Sequence, residues 1–396
     1  MTYLVQLVLI LILTKVGAHV AQHFNFPSVI GELLVGIIAG PALLHLLMPT
    51  TFIHYFSEIG VIILMFIAGL EGDFAMLMRY WKPALTVATL GVIFPTLTAM
   101  LLCLWGFGFS WTTSLFIGLI LSATSVSITV QVLKEMGRMN TPAGAIILGA
   151  AVADDIMCVV LLGFCVAFFG TGHTTGQPFW LMLAPKMLFF VVMGVLAKWF
   201  VPKFLELFCR LTASENETTA AIILCFSFAA IATACGMSDV LGAYIAGLAI
   251  SETSHKETLV TKIEPIGYAV FIPVFFVSIG LNISFSGIQK NLLFISLLIV
   301  IAILGKQLGG ALGARLFKLS WAQSNLVGAG MISRGEMALV VANVALNANL
   351  IDQHHYTAMI VVTVVTTLIA PIILKMFIQH ETAAQSLVAS SEESSH

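Results

Sequence analysis

Two adjacent aspartates within an apolar stretch are the residues best placed to do chemistry. Asp154 and Asp155 follow a run of small and aliphatic residues that starts at Pro142. Because a helix rises about 1.5 Å per residue, they lie roughly 18 to 20 Å beyond Pro142, close to the middle of a bilayer. Neighbouring helical residues point about 100° apart, so the two carboxylates cannot share one partner. We expect one to pair with a cation from the protein and the other to face an aqueous cavity.

Three further charged residues interrupt apolar stretches of the chain. Lys306, about 12 Å from one end of its helix, could reach the aspartates; alternatively, it could snorkel to the membrane surface with no functional role. Arg334 and Glu336 could compensate each other, and here a structural role and an ion-binding role both stay open, with Glu336 the better candidate ligand. Each charge at membrane depth costs on the order of 2.5 to 3.5 kcal/mol on insertion scales and therefore needs a reason.

The aspartate pair favours exchange of a cation for protons. A hard ion such as Na+ prefers oxygen ligands, and a carboxylate offers them only when it is deprotonated. Protons and cations therefore compete for one site, and competition at an alternately exposed site is exchange. If Asp154 and Asp155 were merely structural, Lys306 as a single counter-ion would leave one of the two carboxylates without an opposite charge.

Composition places the chain in a membrane. Of its 396 residues 59 % are hydrophobic and 9 % charged, and the mean hydropathy is +1.05, so lipid is the expected solvent. No basic stretch interleaved with aromatics suggests nucleic-acid binding, and neither HExxH nor GxSxG suggests an enzyme. The six cysteines form no CxxC pair and are interpreted as small hydrophobic residues, so no cofactor is expected.

Apolar runs bounded by Gly, Pro and charged residues predict about thirteen transmembrane helices. We place them at approximately 3–22, 27–47, 53–71, 84–106, 111–134, 142–170, 178–201, 218–236, 239–252, 264–281, 289–314, 320–347 and 355–379. The polar segment 380–396 is predicted to be a disordered cytoplasmic tail.

The distribution of basic residues predicts the orientation in a cell inner or plasma membrane. With the N-terminus outside and the C-terminus in the cytoplasm, only Lys186 and Lys290 face outward. The inward side then collects twelve basic residues, as the positive-inside rule requires: Arg79, Lys82, Lys134, Arg138, Lys198, Lys203, Arg210, Lys256, Lys262, Arg315, Lys318 and Lys375.

Two glycine patterns predict an inverted internal repeat. Gly31 and Gly36 of the second predicted helix recur at the same spacing as Gly242 and Gly247 of the ninth. The third helix runs from 58–60 to 67–71, and the tenth runs from 264–267 to 278–282 with the same order of residues. Copies displaced by seven helices, an odd number, must have opposite orientations.

The same repeat relates the fifth helix to the twelfth, and both contain a predicted interruption. The fifth carries a hydroxyl-rich run at 122–127, and the twelfth carries glycines and charged residues at 328–336. Such residues compete with helical hydrogen bonding. Paired interruptions at equivalent positions indicate a transporter site, where freed backbone coordinates an ion between opposed half-helix dipoles.

At these residues the chain resembles the NapA-type Na+/H+ antiporters, in the second branch of the monovalent cation:proton antiporter superfamily. The similarity extends through almost the whole chain and is carried by 29–41, 153–155, 275–281, Lys306 and 333–336. It implies that Asp155 is the main Na+ and proton ligand and that Asp154 pairs with Lys306. It also implies that Thr124 and Ser125 lie beside the ion in the unwound segment, with two crossed broken helices as in the NhaA-like fold.

The resemblance further implies a homodimer and electrogenic exchange of two protons for one Na+. Li+ is the alternative to Na+ as the exchanged ion. The implied organisation has dimer-domain helices in 1–71 and 218–281, core helices in 84–170 and 289–379, and a linker helix at 178–201. Two alternatives stay open: a K+/H+ antiporter of the same superfamily and a Na+-coupled organic-anion symporter of the same fold. The potassium-efflux branch normally has Gln in place of Asp154, together with a C-terminal nucleotide-binding domain, which makes it the weaker match.

Overall fold

The computed structural model of the protein describes residues 3–169, 179–212, 214–282 and 292–393, and every regular element in these ranges is a helix. Ten helical spans of the described residues are long and apolar enough to cross a membrane. Shorter apolar helices add Ser28–Ala39, Asp239–Ser251 and Met337–Asn347. The all-helical membrane fold is thus confirmed, and the predicted count of about thirteen spans stays approximate.

The helices follow one another with short connections. In chain order they are α1 (Tyr3–His23), α2 (Ser28–Ala39), α3 (Thr51–Glu71), α4 (Phe74–Arg79), α5 (Trp81–Leu101), α6 (Trp111–Ser122), α7 (Val126–Glu135), α8 (Pro142–Phe169), α9 (Phe179–Val195), α10 (Val201–Cys209), α11 (Asn216–Ala234), α12 (Asp239–Ser251), α13 (Lys256–Ile266), α14 (Ile272–Leu281), α15 (Leu292–Arg315), α16 (Trp321–Gly330), α17 (Glu336–Asn347) and α18 (Gln353–Glu393). Single π-helical turns extend α5 and connect α9 to α10 and α13 to α14.

Four predicted helix boundaries need correction. The second predicted helix ends at Ala39 rather than at 47, and the seventh continues through a π-helical turn to Cys209 rather than ending at 201. The tenth predicted helix begins at Lys256 rather than at residue 264, because α13 is amphipathic and buries Leu259 and Ile263. The last helix continues to Glu393 instead of ending at 379. Arg138 forms an ion pair with Glu381 at 3.2 Å, which ties the first residues beyond the predicted end to the protein.

The chain divides into two compact units. The first comprises the described residues of Met1–Phe24, Gly31–Met78 and Thr174–Asn282, and the second those of Asn25–Ile30, Arg79–His173 and Ile283–His396. The second unit contains both pairs of half-helices, α6 with α7 and α16 with α17. In its most apolar stretch the α6–α7 span is 94 % buried, against 22 % for α1, so the broken helix lies at the centre of its unit.

Close glycine contacts in the first unit reflect the internal repeat. A Cβ on Gly36 of α2 would lie 2.9 Å from the Cα of Gly280 in α14, and one on Gly247 of α12 would lie 3.0 Å from the backbone of Gly69 in α3. The sequence repeat equates Gly36 with Gly247 and Gly69 with Gly280. The contact of α2 with α14 is therefore reproduced by the contact of α12 with α3, as two copies related by a pseudo-two-fold axis require. Small residues permit this backbone approach between membrane helices.

Candidate ion-binding site

Asp154 and Asp155 lie in α8 within the second unit, and both are buried. Asp154 is 0 % exposed, and its two oxygens have different partners. Lys306 Nζ donates to Oδ1 at 2.9 Å, and the backbone N–H of Thr124 donates to Oδ2 at 3.0 Å. Asp155, on the adjacent face of the helix, is 7 % exposed. The two carboxylates therefore occupy different environments.

Lys306 is held at this depth by close packing of α15 on α5. Gly305, Gly309 and Gly313 recur every four residues along α15, and a Cβ on any of them would come within 3.0 Å of the α5 backbone. This stripe of small residues brings the two helix axes together. The Lys306 side chain, 0 % exposed, lies beside Gly91 of α5, where a Cβ would be 3.6 Å from Nζ. The lysine forms an ion pair with Asp154 inside the unit and does not snorkel.

The predicted interruption of the fifth span is a short extended segment between α6 and α7. Ala123 and Ser125 have φ/ψ of −65°/136° and −95°/115°, both outside the helical region. In the twelfth span the gap between α16 and α17 covers residues 331–335, and its last residue, Gly335, is also non-helical. Both interruptions expose backbone groups that would otherwise be paired within a helix.

The two interruptions are hydrogen-bonded to each other. The backbone N–H of Ser125 donates to the carbonyl of Ser333 at 2.8 Å, and the Ser333 hydroxyl donates to the carbonyl of Ser125 at 2.7 Å. Thr129, in the first turn of α7, donates to the carbonyl of Gly330 at 2.8 Å, in the last turn of α16. The half-helices thus meet at their broken ends.

Arg334 supplies positive charge where the α6 half-helix ends. Its guanidinium is 0 % exposed and donates to the Leu121 carbonyl from Nε at 3.0 Å and from Nη2 at 2.6 Å. It also donates to the carbonyls of Ile332 and Ala302. Leu121 lies in the last turn of α6, where carbonyls lack helical partners and the helix dipole is negative. Asp154 supplies negative charge close to the N-terminal, positive end of the α7 dipole, where it accepts from the backbone N–H of Thr124.

The Arg334 side chain therefore pairs with backbone, whereas the sequence suggested compensation by Glu336. The side chain of Glu336 lies outside the described part of the structure, and its predicted role as a ligand remains a prediction. Thr129 is a contributor that the sequence analysis did not single out, and Ser333 was included there only as part of the run 333–336. The signal for Thr129 is a hydroxyl beside the first interruption, where neighbouring serines and threonines look equivalent, and the signal for Ser333 is a hydroxyl within the second.

The Ser125 hydroxyl lies at the crossing point. Its Oγ is buried and, among the described residues, has no hydrogen-bonding partner. A Cβ added to Gly335 would come within 2.6 Å of this atom, so glycine leaves the space that the hydroxyl occupies. The Thr124 hydroxyl makes only a long contact, 3.5 Å, with the Met331 carbonyl. A buried polar atom without a partner is costly unless a ligand or water satisfies it.

The arrangement is suited to a desolvated monovalent cation. Carboxylate, hydroxyl and carbonyl oxygens lie around the crossing, and such oxygens are the ligands that hard cations prefer. The formal charges of Lys306 and Arg334 are balanced by those of Asp154 and Asp155, and all four side chains are buried. Direct contacts join Lys306, Asp154 and Thr124. Ser125 follows Thr124 in sequence and is hydrogen-bonded to Ser333, the neighbour of Arg334. Asp155 adjoins Asp154 on α8.

Comparison with known proteins agrees with this geometry. Residues 8–380 match the family model described as "Sodium/hydrogen exchanger, transmembrane". A "Na(+)/H(+) antiporter" of Enterococcus hirae is 42 % identical over 381 residues, covering 94 % of this chain and 97 % of the relative. The "Na(+)/H(+)-K(+) antiporter GerN" of Bacillus cereus is 41 % identical over 370 residues, covering 93 % and 95 %.

A solved structure supports the fold independently. The sodium proton antiporter MjNhaP1 from Methanocaldococcus jannaschii superimposes with a TM-score of 0.70 at 19 % identity, over 95 % of this chain and 96 % of that one. At this identity the likeness concerns the fold alone. The match to the family model, by contrast, covers nearly the whole chain. The chain therefore belongs to the sodium/hydrogen exchanger family.

Proposed function

We propose that this protein is a Na+/H+ antiporter of the NapA type, in which Asp155 binds Na+ and H+ in alternation. The observation that carries the proposal is that Asp155 is the more accessible of the two neighbouring carboxylates. Both oxygens of Asp154 are engaged, by Lys306 and by the Thr124 N–H, in a side chain with 0 % exposure. Asp155 is the more exposed of the two at 7 %. It is thus the carboxylate that an ion arriving from water reaches.

Ser125 and Thr124 complete the proposed ion site. The Ser125 hydroxyl is a buried oxygen with no hydrogen-bonding partner among the described residues, and a bound Na+ would satisfy it. Thr124 adds a second hydroxyl whose contact with Met331 is long at 3.5 Å. Sodium competes with the proton because the same Asp155 oxygens accept either one.

The proposed exchange is electrogenic, with two protons moving against one Na+. Asp155 carries one proton, and the second belongs to the pair of Asp154 and Lys306, which share a hydrogen bond of 2.9 Å. One net charge per cycle couples transport to the membrane potential by about 2.3 kcal/mol per 100 mV. With the N-terminus outside, as the positive-inside rule favours, an inside-negative membrane would drive Na+ out of the cell.

Each compact unit receives a proposed role. The unit that contains α5–α8 and α15–α18 carries the ion site and acts as the mobile core. The unit that contains α1, most of α2, α3 and α11–α14 acts as the dimer domain of a homodimer, and α9 with α10 forms the linker helix. This assignment is supported by the resemblance to NapA-type antiporters and by the location of both broken helices in one unit.

Potassium is a second candidate substrate. A relative that is 41 % identical over most of its length bears the name Na+/H+-K+ antiporter. Oxygen ligands at a crossing of half-helices bind either ion, and selectivity then depends on cavity size and ligand number. Lithium is expected to replace Na+ for the same reason.

Proton flux in liposomes tests the proposal. Purified protein is reconstituted in vesicles that are acidic inside and contain a pH-reporting dye, and Na+, Li+, K+ or choline chloride is then added outside. We expect Na+ to collapse the gradient in the wild type and to have no effect in Asp155→Asn. Asp73→Asn is the matched control, since Asp73 is an exposed residue that caps Met76 and Asn caps equally well. Undiminished Na+-driven flux in the folded Asp155→Asn protein would contradict the assignment.

A further inference from the structure

Three side chains of different chemistry meet in the first unit, whereas the residues of the ion site belong to the second. Cys209 is the last residue of α10, Glu217 lies in the first turn of α11, and His255 immediately precedes α13. Their donor atoms, one sulfur, one oxygen and one nitrogen, all lie within 4.8 Å of one another. The three residues come from separate segments of the chain, and folding alone brings them together.

Two of the three distances between the donor atoms are close to those between ligands of a tetrahedral metal. Cys209 Sγ lies 3.4 Å from Glu217 Oε1, and His255 Nδ1 lies 3.2 Å from the same oxygen. Zinc bonds of about 2.3 Å to sulfur and 2.0–2.2 Å to nitrogen or oxygen, at tetrahedral angles, separate neighbouring ligands by roughly 3.3 to 3.6 Å. Only a small movement of the side chains is therefore needed to accept the ion.

We propose that Cys209, Glu217 and His255 bind a borderline-soft divalent cation of the Zn2+ type, with water as the fourth ligand. Thiolate, imidazole and carboxylate are the three ligand classes that proteins use for zinc. A thiolate does not suit a hard ion such as Na+, so this site is chemically distinct from the proposed transport site. On binding, the thiol gives up its proton to water and sulfur bonds to the metal in its place.

Neighbouring contacts hold the three segments in position. Glu215, two residues before Glu217, accepts from Lys262 Nζ at 2.9 Å and from the Thr218 hydroxyl at 3.0 Å. Asn216 donates to the Leu211 carbonyl at 2.6 Å, which links the start of α11 to the residues just after α10. These contacts preorganise the three ligands for binding a metal.

Water can reach all three ligands. Cys209 is exposed, and the Glu217 and His255 side chains are 30 % and 22 % exposed. A bound metal would connect the end of α10 to α11 and to the start of α13. A metal that binds the folded protein and not the unfolded chain stabilises the folded state, so it should also raise the temperature of thermal unfolding.

Cobalt spectroscopy on purified protein with its affinity tag removed tests the site. Co2+ replaces Zn2+ at such sites, and its bond to a thiolate gives an intense ultraviolet charge-transfer band. We expect one equivalent of Co2+ per chain to produce this band in the wild type, and added Zn2+ to abolish it. Cys209→Ser should lose the band and bind Zn2+ at least about tenfold more weakly, since even outer-shell changes cost 10–100-fold.

Cys235→Ser is the matched control, because Cys235 is also partly exposed but lies outside the cluster. It should retain the band, and His255→Gln should shift the d–d spectrum and weaken Zn2+ binding. Thermal unfolding without metal checks that each variant is folded. Absence of the band in the wild type, or an unchanged band in folded Cys209→Ser, would overturn the proposal. In that case the cluster is a hydrogen-bonded group and any bound cobalt sits on other histidines.

Discussion

Breaking the buried ion pair between Lys306 and Asp154 should be among the most damaging single changes in the protein. The two charged atoms are 2.9 Å apart, and both side chains are 0 % exposed. At an effective dielectric constant of about 20, unit charges at that distance attract by about 6 kcal/mol. Desolvation offsets part of this attraction, and removing one partner of such a pair typically costs about 3–5 kcal/mol because the other charge stays buried.

A double-mutant cycle measures this interaction. We expect Lys306→Gln and Asp154→Asn each to lower the free energy of unfolding by about 3–5 kcal/mol. The double variant should lose less than either, because two neutral amides can still hydrogen bond to each other and the amide oxygen that replaces the carboxylate can still accept from the Thr124 N–H. Unfolding equilibria in mixed micelles with increasing dodecyl sulfate provide the four values. If the two single losses simply add in the double variant, the pair has no coupling energy and the reasoning is refuted.

Three further predictions concern the crossing of the broken helices. Gly335→Ala should reduce both the transport rate and the stability, because the new Cβ would lie within 2.6 Å of Ser125 Oγ. Gly194→Ala is the control, because a Cβ at Gly194 would have open space around it. It should change the free energy of unfolding by no more than about 1 kcal/mol and the transport rate by no more than the equivalent factor. Arg334→Met should lower the unfolding temperature and abolish flux, since the Leu121 carbonyl loses its partner. Ser125→Ala should leave the unfolding temperature unchanged or higher while raising the KM for Na+, because it removes a buried hydroxyl without a partner among the described residues. An unchanged KM would remove Ser125 from the proposed ion ligands.

Much of the fold could be predicted because the bilayer restricts the possible structures. A spanning segment must satisfy its own backbone, so apolar runs of about 20 residues are helices. The broken helices were predictable from their chemistry, as hydroxyl residues at 122–127 and glycines with charges at 328–336 weaken helical hydrogen bonding. The repeat was readable because glycines mark close helix contacts, and Gly36 with Gly280 and Gly69 with Gly247 make such contacts.

The remaining features depend on which residues meet in three dimensions. Nothing in the spacing of Arg334 indicates that it caps the end of α6, because its partners are backbone carbonyls that only become available where that helix breaks. Thr129 contributes through one hydroxyl, and the neighbouring Ser125 and Ser127 carry the same group. Ser333 bonds to the backbone of the other interruption, and its own sequence surroundings do not indicate that partner. The predicted end of α18 was too early because the residues after 379 are polar. The Arg138–Glu381 ion pair holds the first of these residues against the protein.

The central claim is that Na+ and H+ compete for Asp155, and the pH dependence of Na+ affinity tests it most directly. The measurement is the KM for Na+ of the reconstituted wild type at a series of pH values, equal on both sides of the membrane. Lowering the pH places a proton on the carboxylate, so KM should rise, approaching tenfold per pH unit, while the maximal rate at saturating Na+ changes little. A KM that stays constant while the maximal rate falls would show that protons and Na+ bind different groups, which contradicts the account.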